Sequence, residues 1–437
     1  MIALTIPMAL QNLINVGVTA ADVLMLGKVG EKVLSGASLA GQIQFIMTLI
    51  LMGITSGATV LCAQYWGKQD TKSIEKVLGL AILMGFIVST LFAVLALTVP
   101  EYLMKIYASD KEVIEQGVKY LRIVGISYVF GAFVQVYLYV IRSVERVIIA
   151  TIVYFISLLV NVMINAVLIF GLFGAPKLGV VGAAIGTLTA RIVEIMIVLF
   201  YAIYKNYTVR IRLKNIIHID KWLVRDFIRY ALPVVINELF WGMGASANSA
   251  IIGHMGSAAA AANAITQVTR QLAMVVVFGV GNSTAIMLGK TIGEKRYDLA
   301  KRYGNEFLKI SAILGLFSVL VILVVSPIAR ANLVLSPEAK EYLKIMFFVM
   351  CYFTFCMSMS STMVVGIFRS GGDTRFGLIL DMSTMWGCSI LLGFIAAFVF
   401  KASVPVVYVI LMCDEVIKLP ICLKRYFSYK WLKDVTR

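Results

Sequence analysis

"VGVTAADVLMLGKVG", Val16 to Gly30, is a nearly unbroken apolar run with one acid, Asp22, near its middle. Its rhythm returns as "GMGASANSAIIGHMG", Gly242 to Gly256, with Asn248 in the place of Asp22. A shift of 226 residues carries Pro7 onto Pro233, Gly27 onto Gly253, Gly30 onto Gly256, Gly53 onto Gly279 and Gly67 onto Gly293 without a gap. The chain has only eight prolines, so coincidence is a poor explanation. Further on, "IRS" at 141–143 meets "FRS" at 368–370 at an offset of 227. The chain is therefore read as two copies of one unit.

What that unit is follows from its solvent. Of the 437 residues, 60% are hydrophobic and 14% charged, and the mean hydropathy is +0.92. A soluble domain has about 45–50% apolar and about 25% charged residues. A hydrocarbon core about 30 Å thick needs roughly 20 apolar residues per helical crossing. Such runs recur near 2–26, 33–64, 74–99, 117–141, 148–173, 178–204, 227–252, 258–289, 304–326, 340–367, 376–400 and 403–423. They lack the period-two alternation of a membrane barrel, and lipid offers an unpaired backbone group no partner. The expectation is an all-α polytopic membrane protein of twelve transmembrane helices. Six spans per copy return the chain to its starting side. The copies then run parallel, as two six-helix bundles about a pseudo-twofold axis along the membrane normal. The boundaries expected are 1–204 for the first lobe, 205–226 for a basic linker, and 227–437 for the second lobe and a short basic tail.

The net charge of +16 does not point to nucleic acid. Lys and Arg gather in the loops after even-numbered spans, such as Lys68, Lys72, Lys76, Arg142, Arg146, Lys290, Lys295 and Arg296, and in the linker and tail. There they face anionic lipid headgroups. By the positive-inside rule these loops and both termini are cytoplasmic, in the inner (plasma) membrane of a cell. The six cysteines lie in or beside apolar runs without a CxxC pair and read as small buried hydrophobes. The first run carries Gln11, Asn12, Asn15 and Asp22 with no basic region before it, so it does not read as a signal peptide.

Polar groups inside spans carry the functional argument, because an acid at a helix centre costs roughly 2.5–3.5 kcal/mol on insertion scales. On the first helix Gln11, Asn15 and Asp22 fall within about 40° of one another, a stripe expected to face the bundle interior or a wet cleft. Glu238, in the seventh span, has Asn12 as its repeat counterpart, while Asp22 has Asn248. Each half thus keeps one acid and holds an amide at the other site, which suggests different work for the two lobes. Either acid could instead be a structural carboxylate held by a neighbouring helix. Ser157, Asn161 and Asn165 share a face of the fifth span, where amides either bind a ligand or join helices. Arg191 with Glu194, and Asp414 with Lys418, are spaced to pair. Asp381 and Arg270 have no local partner and are expected to meet one on another helix. The tenth span is rich in Met and hydroxyls, among them Met357 and Ser361, a surface that either packs or lines a substrate cavity. The four-apart pairs Gly53/Gly57 and Gly182/Gly186 read as places of close helix contact. With histidine only at 218 and 254 there is no HExxH, and there is no GxSxG. "GKT" at 289–291 lacks the first glycine of a phosphate loop, since Thr284 stands there. No enzyme and no cofactor are expected.

The motifs "DVLMLGKVG" at 22–30, "QYWGKQD" at 64–70, "NVMINAVLIFG" at 161–171, "GVVGAAIGT" at 179–187 and "FRSGGDTR" at 368–375 together resemble the multidrug and toxic compound extrusion (MATE) family. The resemblance implies an antiporter in which H⁺ or Na⁺ enters as an amphipathic, often cationic, organic compound leaves. It places ion or proton coupling at Asp22, Asn161, Asn165 and Thr187. Asn165 departs from the family, which often has an acid there. That departure counts against strong Na⁺ binding and toward protons. Gln11, Asn15, Glu238, Asn248, Met357 and Ser361 are the candidates for the substrate cavity. Glu238 resembles a family glutamate but stands three residues earlier relative to Pro233. The expected partners are small amphipathic organic cations, the coupling ion and membrane lipids, with the protein a monomer and any metal limited to Na⁺ at Asp22. The alternative reading is a lipid-linked oligosaccharide flippase of the same broad superfamily, which needs a large basic cavity, whereas only Arg122, Arg191 and Arg270 lie clearly within spans.

Overall fold

A computed structural model of the chain describes residues 2–217, 220–332 and 336–436. His218 and the terminal Arg437 lie outside them. Among the described residues the regular structure is helical throughout. The helices that fill the twelve expected places are numbered here in chain order. In the first half they are α1 (Ile2–Gly27), α2 (Glu31–Gly67), α3 (Thr71–Thr98), α4 (Lys111–Ser143), α5 (Ile148–Phe170) and α6 (Val180–Phe200). In the second they are α7 (Lys221–His254), α8 (Ser257–Gly293), α9 (Tyr297–Asn332), α10 (Pro337–Ser361) and α11, which starts as Thr374–Asp381 and runs on in wider π turns to Val399. The last, α12, is broken into Val404–Leu411 and Asp414–Phe427.

Ten of these helices are long and apolar enough to cross a membrane. The other two places belong to α7, which carries Arg225, Asp226, Arg229, Glu238 and two amides, and to the short pieces of α12. The ends differ from the sequence-based bounds mainly where polar residues extend a helix past the apolar run. Asp110 starts α4 six residues before the expected 117, its carboxylate accepting from the Glu112 backbone N–H at 2.8 Å. Asp70 caps α3 in the same way through the Ser73 N–H at 3.1 Å. These side chains satisfy the orphan donors of a helix start. α7 begins at Lys221, within the stretch read as linker, which also holds a short helix at Leu213–Ile217.

Hydrophobicity does two jobs. On α9, Ile313, Leu316, Phe317, Leu320, Leu323 and Val324 are exposed together, a helical stripe of the kind lipid covers. Inward faces mix large apolar side chains with buried hydroxyls, and Ser311 and Ser318 of α9 bond to the Ser358 and Ala273 carbonyls of α10 and α8 at 3.0 and 2.8 Å. None of the six cysteines is in a disulfide.

The chain divides into two compact units, residues 10–235 and residues 1–9 with 236–437. The division falls two residues after Pro7 on α1 and two residues after Pro233 on α7. A corresponding contact is found in each. Within the first unit Gly53 is packed so tightly on Val235 that an added Cβ would lie 2.4 Å from its Cα, and within the second a Cβ on Gly279 would lie 2.9 Å from the Ala9 backbone nitrogen. The offset of 226 carries Gly53 onto Gly279 and Ala9 onto Val235, so the repeat seen in sequence is a repeat of packing.

Candidate functional site

In the unit of residues 10–235, α1 brings Asp22 to the amide face of α5. Asn165 Nδ2 donates to Asp22 Oδ1 at 2.6 Å and to Asn161 Oδ1 at 3.2 Å. Asn161 and Asn165 are fully buried, and Asn165 Oδ1 has no hydrogen-bond partner. This closeness depends on α6: a Cβ at Gly186 would fall 2.0 Å from Asn165 Oδ1, and one at Gly182 would strike the Leu168 backbone at 2.7 Å. The two glycines let α6 press Asn165 toward Asp22. Thr187, next on α6, is bonded to the Tyr120 hydroxyl, and Tyr120 is near enough to Asp22 to feel its charge. Asp22, Asn161 and Asn165 therefore form one hydrogen-bonded chain, and Thr187 stands outside it, bonded to Tyr120.

Among the described residues no Lys or Arg forms an ion pair with Asp22. Arg191 is close enough to act on it electrostatically. Its guanidinium is nevertheless spent on Glu194, with Nη1 donating at 3.0 and 2.7 Å to the two carboxylate oxygens, as the spacing suggests. The polar stripe of α1 divides. Asn15 is exposed, whereas Gln11 is buried and fully engaged: Nε2 donates to Val147 O at 3.1 Å and Thr151 Oγ1 at 2.9 Å, and Oε1 accepts from Arg142 at 2.9 Å. Gln11 is thus held away from Asn15, because α5 and the end of α4 claim its amide.

In the other unit the acids find cations. Glu238 is paired with Arg369 at 2.9 Å, both side chains largely buried. Lys418 is the centre of a larger cluster, with Nζ 2.8 Å from Asp381 Oδ1 and 2.7 Å from Glu415 Oε1. Asn237 Nδ2 donates to the other oxygen of Asp381 at 2.9 Å, and Ser360 Oγ donates to Glu415. The partner foreseen for Lys418 was Asp414. Its partner within α12 is instead Glu415, three residues away, because α11 delivers Asp381 on that side. Asp381 meets its partner on another helix as expected. Arg270 does so only in part: Nη2 is satisfied within α8 by Gln267 at 2.5 Å, and Nη1 reaches Met357 Sδ of α10 at 3.7 Å. Met357 is buried in the apolar core of this unit, Ser361 is half-buried, and Asn248 is half-buried with Oδ1 unpartnered.

Reading the residues in one dimension missed Tyr120, Asn237 and Glu415, whose roles arise from neighbouring helices. Arg142 and Arg369 were visible as the matching "IRS" and "FRS", though not the difference in what surrounds them.

Comparison with known proteins follows the same division. The family model MatE matches residues 7–167 and again 233–395, beginning at the two repeat-related prolines. A probable multidrug resistance protein, YoeA of Bacillus subtilis, is 20% identical over 99% of this chain and 94% of its own length. A probable multidrug resistance protein, NorM of Thermotoga maritima, is 23% identical over 99% and 93%. Among solved structures, a MOP superfamily transporter from Pyrococcus furiosus superposes with a TM-score of 0.88 at 17% identity, covering 98% of this chain and 94% of that one. The outward-facing form of a multidrug resistance MATE family transporter gives 0.87 at 17%, covering 98% and 96%.

Proposed function

The chain belongs to the MatE family of membrane transporters, and from that premise we propose that it is an ion-coupled exporter of amphipathic, often cationic, organic compounds, with Asp22 as the coupling group. It is a multi-pass membrane transporter and not an enzyme. The observation that carries the proposal is the company of Asp22. Its carboxylate faces an amide donor rather than a lysine or arginine, while Glu194, Glu238, Asp381 and Glu415 each pair with a cation and buried Asp414 lies beside the Lys418–Glu415 pair. A carboxylate in an apolar helix without a fixed countercharge takes a mobile one. Asp22, Asn161 and Asn165 offer oxygen donors, the chemistry of a hard cation or a proton. Asn165 supplies an amide where a second acid would favour Na⁺, which inclines the site to H⁺.

In this mechanism a proton or Na⁺ neutralises Asp22 from outside, and the helices around it repack to favour release of the compound. Loss of the ion to the cytoplasm restores the loading state. The entering charge gains about 2.3 kcal/mol per 100 mV of membrane potential, to which the ion gradient adds. Both termini then lie in the cytoplasm. The test is efflux of cationic dyes from proteoliposomes under separately imposed pH and sodium gradients. Wild type should respond to one of them. Asp22→Asn should fold and insert but fall to the rate of empty liposomes. Normal coupled efflux by Asp22→Asn would remove Asp22 from the mechanism.

A further inference from the structure

The repeat places one arginine twice, at the end of α4 and just past the π-helical extension of α10, and the two copies have different partners. Arg369 is neutralised by Glu238, its Nη2 2.9 Å from the Glu238 carboxylate. Its counterpart Arg142 is 6% exposed and has no ion pair among the described residues. Nη1 donates to Gln11 Oε1 at 2.9 Å, the guanidinium carbon lies 3.6 Å from the centre of the Tyr139 ring, and Nη2 is buried without a hydrogen-bond partner. The offset of 226 that relates the halves sets Asn12 where the second half has Glu238, and Gln11 where it has Asn237. So the first half keeps the guanidinium and has lost its carboxylate.

Arginine cannot escape this by giving up a proton. A buried guanidinium with one matched edge is costly, and removing the partner of such a group typically costs several kcal/mol. The charged groups around it are otherwise engaged. Glu145, three residues on, accepts from the Trp66 indole at 3.0 Å, and Glu194, which acts on the neighbouring Tyr154 together with Arg142, is bound to Arg191. Gln11 is held by both of its donor bonds so that only its carbonyl faces the guanidinium. Tyr139 supplies an aromatic face beside the charge.

We propose that Arg142, with Gln11 and Tyr139, forms an oxyanion-binding site in which a ligand's carboxylate or phosphate takes the place that Glu238 occupies in the second half. The flat guanidinium over an aromatic ring suits an amphipath whose acidic group sits on a planar apolar body. The site itself stands on geometry, and only the statement that its ligand is cargo rests on the export reading. A lipid headgroup phosphate shares the same chemistry, so the two sources have to be separated by experiment.

Binding is measured without any gradient, on the full chain in nanodiscs. The probes are a fluorescent aromatic carboxylic acid and its methyl ester, read by anisotropy and by the ligand-induced rise in Tm. The acid is expected to bind wild type more tightly than the ester, and Arg142→Gln to erase that preference, a change of about ten- to a hundredfold for a charge-assisted contact. Asn12→Glu restores the second-half arrangement. It should raise Tm in the absence of ligand while abolishing the response to the acid, so it carries the test should Arg142→Gln fail to fold. Phosphatidylglycerol nanodiscs compared with phosphatidylcholine ones assign the source. Competition by the anionic lipid marks a headgroup phosphate as the occupant, and undiminished binding marks a solute carboxylate. Equal binding of acid and ester by wild type, or an acid preference that survives in Asn12→Glu, overturns the proposal. Neither result depends on dye efflux under a gradient, which tests the export reading separately.

Discussion

Asp22 and Asp381 are both aspartates within apolar helices, and their neighbours give them opposite roles. Asp381 is fixed by Lys418 and Asn237, so its charge is balanced within the protein. Lys418 in turn holds Glu415, and removing it as Lys418→Met leaves two carboxylates without their shared cation. A loss of about 3–5 kcal/mol is expected for breaking a buried pair from one side, seen as a lower Tm in detergent. Adding Asp381→Asn and Glu415→Gln to that variant should recover much of it, since the unpaired charges go with the cation. Asp22→Asn should behave differently, because its carboxylate has no cation to strand. Its Tm should stay close to that of wild type while ion-driven efflux disappears. The two variants thus separate an acid kept for architecture from one kept for exchange.

At the scale of helices, α5 and α6 make the Asp22 site by approaching more closely than larger residues would permit. Gly186→Val places branched carbon where Asn165 Oδ1 now lies. Overpacking of this kind costs typically about 1–3 kcal/mol. The expected outcome is a modest fall in Tm, unchanged helical circular dichroism, and loss of the pH or sodium dependence of efflux as Asn165 is driven from Asp22. Gly186→Val with Asn165→Ala should regain stability by making room, yet remain uncoupled. The glycine spacing was legible in one dimension as a place of close contact. That it serves to aim one amide at one acid was not, because only the packed pair shows which side chain fills the space between the helices.

For the molecule as a whole, the distribution of Lys and Arg assigns a side to every loop. On the proposed topology Lys72, in the first turn of α3, is cytoplasmic, and Tyr102, 71% exposed in the short helix Pro100–Tyr107 after α3, is outside. Tyr102→Cys in a cysteine-free background should react with a membrane-impermeant maleimide on intact cells, and Lys72→Cys only after permeabilisation. The reverse pattern would invert the topology and with it the direction in which Asp22 meets its ion.

The helices, their number and their twofold repeat were determined by the sequence alone, because hydropathy and helix-start chemistry act on residues near one another in the chain. Pro7 with Pro233 and Gly53 with Gly279 already carried the repeat, and the packing of Ala9 and Val235 follows it. The pairing of charges was decided only in three dimensions. Glu238 belongs to Arg369, Lys418 chooses Glu415 over Asp414, one residue further away along the chain, and Gln11 turns from Asn15 to Arg142. Each choice depends on what a helix far away in sequence presents at that depth, since a charge in an apolar medium settles where its partner is and not where its neighbours in the chain are.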